Sequence, residues 1–229
     1  MKAKKIVHKF FELDRKDRKM YMLQMATIRT IGVALIKFFF GIAYASIWFF
    51  TNSIFYIILG ISKYRSVRDY RKVKKIKDKR AKERITYNNY LYNGWLLVLL
   101  GVAYFIINLI IYKTGQTNND LDGYLVYLTA FFSFSSLISA SISLYKYKID
   151  DDPIIAAACQ GNIAKALASI VLTQVTLLDQ FAIKDIKIVR TNGTTGMVVG
   201  VIIMILGFRM IIKIVRRKSN FIGGRLGRI

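Results

Sequence analysis

Residues 153–181 read PIIAAACQGNIAKALASIVLTQVTLLDQF, and this stretch decides the fold. Asp152 followed by Pro153 is a strong helix start: a side-chain acceptor at the cap, then a proline at the first helical position. The uncharged core Ala166–Leu178 is only 13 residues long. The helical pattern nevertheless continues from Pro153 to Phe181, so the segment reads as one long helix that enters a bilayer after its first turns. Along it, Asn162, Lys165, Ser169, Thr173 and Thr176 recur at spacings of 3, 4, 4 and 3. Those spacings put them on one helical face, with Gln174 flanking. Such a stripe should not face lipid, where unsatisfied polar groups are costly. Two readings follow. The stripe lines a pore or substrate path, with Lys165 favouring anions. Alternatively it packs helices through hydrogen bonds worth about 0.6 kcal/mol each, with Lys165 snorkelling to the cytoplasmic interface.

Working outward, Gly94–Tyr112 supplies 19 uncharged residues and Gly123–Tyr145 supplies 23. Both have aromatic residues at their ends, as membrane–water interfaces favour. Met197–Phe208 can extend to Ile212. Ile28–Ser62 is too long for one span, since its 35 residues would make a helix of about 52 Å. A tight pair turning near Ser46 fits it, although Arg29 and Lys37 fall inside the first member and would also suit a re-entrant or surface helix.

Composition agrees with this reading. The 229 residues are 54% hydrophobic, yet carry 36 Lys and Arg against 13 Asp and Glu, for a net charge of +23. Apolar residues and charges fall in separate blocks, which excludes an ordinary soluble globule, a disordered chain and a disulfide scaffold. Cys159 is the only cysteine and His8 the only histidine, so no Cys/His metal cluster is available. One proline and no hairpin punctuation argue for helices. The expected fold is an all-α polytopic membrane bundle of about six spans, near 22–45, 47–63, 94–112, 123–145, 158–180 and 195–213. Around the transmembrane domain 22–214 lie a basic amphipathic segment 1–21, a cytoplasmic basic extension 63–92 within it and a basic tail 215–229.

Orientation follows from charge. Residues 1–21 hold eight basic residues, 63–92 hold twelve, and six lie from Lys213 onward. The positive-inside tendency then places both termini in the cytoplasm of a multi-pass cell-membrane protein. No secretory signal peptide is expected, because no short apolar core with a small-residue cleavage site follows the basic start.

The segment 63–84 (KYRSVRDYRKVKKIKDKRAKER) holds twelve basic residues among 22. Its place beside the bilayer suggests a helical extension resting on anionic headgroups. Zinc spacing, glycine loops and RNA-binding aromatic pairs are missing, so no nucleic-acid partner is expected. His8 belongs to a short amphipathic surface helix as a solvated residue. Asp150, Asp151 and Asp152 suit a helix start, where the macrodipole favours negative charge, although carboxylates in a row also hold divalent cations. Asp179 near the far end of the 153–181 helix suits local pairing with Lys184, Lys187 or Arg190. Gly196 and Gly200 form a GxxxG helix-packing motif with Gly207 beyond it, and the serines of 133–143 make a second small-residue face. Catalytic signatures are absent: no HExxH, no GxSxG, no phosphate-binding glycine loop. Neither an enzymatic role nor a cofactor or metal is expected. A lipid-modifying enzyme would have only 150–152 as its acid/base cluster.

At SIWFFTNSIFYIILGISKYR (46–65), DPIIAAACQGNIAKALASIVLTQVTLLDQF (152–181) and LGFRMIIKI (206–214), the chain resembles a group of uncharacterised bacterial multi-span membrane proteins. The resemblance implies six spans and singles out Gln174. It brings no activity, and Lys165 departs from the position of that group's basic residue. The functional expectation is a small transporter or channel protomer, assembled as an oligomer because six short-looped spans leave little room for a full path and no half-to-half repeat appears. The alternative is a non-catalytic membrane subunit that docks a partner protein.

Overall fold

The structure, a computed structural model, describes residues 15–114, 123–147, 153–181 and 186–226. They form six helices: α1 (Arg15–Ala43), α2 (Ile47–Lys75), α3 (Lys79–Thr114), α4 (Gly123–Tyr147), α5 (Pro153–Phe181) and α6 (Ile186–Leu226). The chain is an all-helical membrane bundle. Four helical stretches are long and apolar enough to cross a bilayer: Met20–Ala43, Lys79–Thr114, Pro153–Leu178 and Val189–Arg216. The expectation of six spans is met by fewer on this measure. In α4 the apolar run Val126–Ile142 is shorter, and α2 does not qualify. The reason in α2 is chemical: it carries Asn52, Ser53, Ser62 and Lys63, all buried inside the bundle. Large apolar side chains point outward instead, among them Ile28, Phe39, Phe131 and Ile138, each at least 60% exposed. This inside-out pattern suits a hydrocarbon solvent.

Helices α1 and α2 form an antiparallel hairpin. Helix α1 ends in a Schellman motif: Ser46 N–H donates to Gly41 O at 3.0 Å and Ala45 N–H to Ile42 O at 3.3 Å. Ala45 takes the left-handed conformation (φ 46°) that this cap requires. The hairpin closes tightly because Gly41 has no side chain. A Cβ there would lie 2.9 Å from the Phe50 nitrogen.

The closest helix pair is α3 with α6. Gly94 faces Gly207, Gly101 faces Gly200, and Gly193 lies against the Asn108 backbone. On each helix these positions are seven residues, two turns, apart, so they form one antiparallel seam. Gly196, one turn from Gly200, makes room for the Asn108 side chain. The GxxxG pair Gly196 and Gly200 therefore lies in a seam whose other half is Gly94 and Gly101.

Helix α5 packs against all five of the others. It can do so because Ala156, Ala157, Ala158, Ala164, Ala166 and Ala168 are all at most 2% exposed. Small side chains let neighbouring backbones approach from several directions. The core cluster accordingly joins Ala164, Ala168, Val171, Leu172 and Val175 of α5 to Trp48, Tyr56 and Leu59 of α2 and to Leu97 and Tyr104 of α3.

Candidate functional site: a buried cation column

Three lysines from three helices are buried in the bundle: Lys37 of α1, Lys63 of α2 and Lys165 of α5, each at most 4% exposed. They stand at two levels. At the first, Lys63 Nζ donates to Asn162 Oδ1 of α5 at 2.5 Å and to Thr30 Oγ1 of α1 at 3.3 Å. At the second, Lys37 Nζ lies 4.2 Å from the ring centroid of Tyr56, and Lys165 Nζ lies 5.7 Å from the same centroid. The Tyr56 hydroxyl is hydrogen-bonded to Ser169 of α5. Ser133 of α4 donates to the Ser169 carbonyl at 2.9 Å.

The periodicity of the helices builds this column. Thr30 and Lys37, Tyr56 and Lys63, and Asn162 and Ser169 are each seven residues apart. Seven residues are two turns, about 10.5 Å of rise. Each of α1, α2 and α5 thus supplies one polar residue per level on the same face. Lys165 lies one turn from both Asn162 and Ser169 along α5, and its ammonium belongs to the second level, toward Tyr56.

The charge is one-sided. Among the described residues no carboxylate pairs with Lys37, Lys63 or Lys165. The described ion pairs of Asp69 are with Arg65 and Arg68, each at 3.8 Å, toward the far end of α2. There Asp69 also accepts from Asn89 Nδ2 at 2.8 Å, within a network that ties Ser62 and Ser66 of α2 to Asn89 and Asn93 of α3. A cation facing an aromatic ring recovers up to about 2 kcal/mol when desolvated. Taking an ion out of water costs several kcal/mol. Cation–π contacts and hydroxyls therefore recover only part of the cost of burying three ammonium groups together.

The residues singled out in the α5 stripe divide. Asn162, Lys165, Ser169, Thr173 and Thr176 are all buried. The first three meet α1 and α2 residues or stand beside them. Thr173 and Thr176 instead donate to carbonyls of their own helix, Ser169 O at 3.1 Å and Thr173 O at 3.0 Å. Gln174 is half-buried on another face and donates to Thr195 Oγ1 of α6 at 3.0 Å. Snorkelling does not describe Lys165, whose ammonium is turned toward Tyr56. Lys37 and Lys63 are the further members that sequence reasoning left elsewhere. Lys37 read as a misfit in a span, and Lys63 as the first residue of the basic segment. The signal that finds them is the two-turn separation of Thr30 from Lys37 and of Tyr56 from Lys63. His8, Asp150, Asp151 and Asp152 lie outside the described residues, as does the side chain of Asp179. No protein-family model matches the chain, and neither does any curated protein, so the geometry alone carries the functional reading.

Proposed function

We propose that the bundle binds an anion on the column formed by Lys37, Lys63 and Lys165 and passes it across the membrane, as a small transporter or channel protomer. The observation that carries this reading is the burial of three lysines from three helices with no carboxylate partner among the described residues. Ionisable groups within a membrane bundle mark substrate or ion routes by default, because their burial is otherwise disfavoured. The two levels, about 10.5 Å apart, offer successive stations rather than a single trap. Movement between stations requires that neither hold the anion too tightly. The end of the bundle that bears 63–92 faces the cytoplasm in this reading, following its concentration of Lys and Arg. The bilayer, with its anionic headgroups, is the immediate partner of that segment.

Purified protein in liposomes tests the proposal. Anion flux should scale with protein density, and Lys63→Met should lower it at least about tenfold, the loss expected when one well-placed charge contact is removed. Equal flux through wild type and Lys63→Met, with both folded, would reject the column as a path. No flux in either, with another membrane protein co-purifying in mild detergent, would favour the docking-subunit alternative.

A further inference from the structure

A charged residue interrupts the lipid-facing surface of the bundle near the column. Arg29 of α1 sits one residue before Thr30, at the level of Lys63, within the apolar stretch Met20–Ala43. It is exposed, and its Nη2 donates to Ser139 Oγ of α4 at 3.1 Å. Helix α1 packs along α2 and only lightly on α5, while α4 packs chiefly on α5. Between α1 and α4 the wall is therefore closed by side-chain reach rather than by helix packing. One turn beyond Arg29, Gly32 is exposed, and a Cβ on it would meet nothing within 4 Å.

A hydroxyl track leads inward from this seam. Ser139, Ser136 and Ser133 follow one another at spacings of three on one face of α4. Ser139 holds Arg29, Ser136 is buried, and Ser133 reaches the Ser169 carbonyl beside Tyr56. Within two turns of Arg29 and Ser139 along their helices stand exposed apolar side chains: Ile28 (66% exposed) and Ile36 (45%) on α1, and Ile138 (60%) and Ile142 (49%) on α4. A guanidinium set among lipid-facing isoleucines is costly in hydrocarbon unless an anion accompanies it. Its fork of donors matches phosphate oxygens. A charged head on Arg29 with acyl chains along the isoleucines satisfies both features at once. An anion arriving from water would use only the first.

We propose that the anion served by the lysine column is the phosphate-bearing headgroup of a membrane lipid, admitted sideways from the bilayer between α1 and α4 past Arg29. This rests on the reading of Lys37, Lys63 and Lys165 as an anion site, and the test separates the two.

Full-length protein in mild detergent is labelled with photoactivatable phosphatidylglycerol or with photoactivatable phosphatidylcholine of the same chains, and the labelled peptides are mapped. Phosphatidylglycerol should label peptides covering 28–36 and 131–142 at least about tenfold more than phosphatidylcholine does. Arg29→Gln should lower that labelling about fivefold or more. Gly32→Trp, which fills the opening, should do the same, whereas Gly32→Ala should not. Lys72→Gln with Lys75→Gln, on the exposed basic arm, should leave seam labelling unchanged. Equal labelling by the two lipids, labelling confined to 63–84, or indifference to Arg29→Gln would overturn the lateral entrance. If that happens while Lys63→Met still abolishes soluble-anion flux, the anion site stands and the lipid is not its substrate. If Lys63→Met leaves flux unchanged, the anion site itself has failed.

Discussion

Lys165→Met should make the anion-free bundle more stable while lowering anion passage at least about tenfold. Methionine is an unbranched replacement for the lysine stem and fills irregular core space well. It removes a buried ammonium held by the face of Tyr56 at 5.7 Å and by no carboxylate among the described residues. Replacing a buried ionic group with an apolar one of similar volume is often neutral or stabilising by about 1–4 kcal/mol. Stability and activity should therefore move in opposite directions, as they do where a protein keeps a strained site for its work. Thermal unfolding in detergent, read beside liposome flux, checks both. Lys165→Arg keeps the charge and should retain passage. A helix-packing role makes the reverse prediction, namely that Lys165→Met loses stability and leaves flux intact.

The second large effect is on the fold. Gly200→Leu should prevent the α3–α6 pair from closing, at a cost above about 3 kcal/mol, beyond the usual range for overpacking. A Cβ on Gly200 would lie 2.9 Å from the Phe105 nitrogen and 3.0 Å from the Gly101 carbonyl oxygen. Both are backbone atoms, which cannot swing aside as a side-chain end can. Recovery of monodisperse protein should collapse. Gly32→Ala provides the contrast. Its Cβ would meet nothing within 4 Å, so the change should be neutral or stabilising by about 0.5–1 kcal/mol through helix propensity. Loss of folded protein in both variants would show that glycine serves backbone flexibility rather than close approach.

The helical class was legible because the apolar blocks are long and the turn residues few. The buried α5 face was legible because Asn162, Lys165 and Ser169 fall at helical spacing within a single segment. What the segment could not reveal was its neighbours. Thr30, Lys37, Tyr56 and Lys63 lie about a hundred or more residues from α5 in sequence, and only helix packing brings them to it. Lys63 misled for a local reason. It begins a run of basic residues, and a solvated charge and a buried one look alike in sequence. The glycine seam was half visible: Gly196 and Gly200 form a recognisable motif within one helix. Gly94 and Gly101 are seven apart, so they do not form it, yet they are the surface against which the motif packs. Fewer than six helices are apolar enough to span because residues such as Asn52, Ser53, Ser62 and Lys63 lower the mean hydropathy of α2, although they lie inside the bundle.

An anion held by Lys37, Lys63 and Lys165 together should raise the thermal unfolding midpoint of the detergent-purified protein, measured across an anion series at constant ionic strength with phosphatidylglycerol in the same series. A ligand that binds only the folded state raises apparent stability by about 2.7 kcal/mol at a hundred times its dissociation constant. The account predicts such a rise for wild type with one class of anion, and its loss in the Lys63→Met, Lys165→Met double variant. The same rise in both proteins, or none with any anion in wild type, would contradict it.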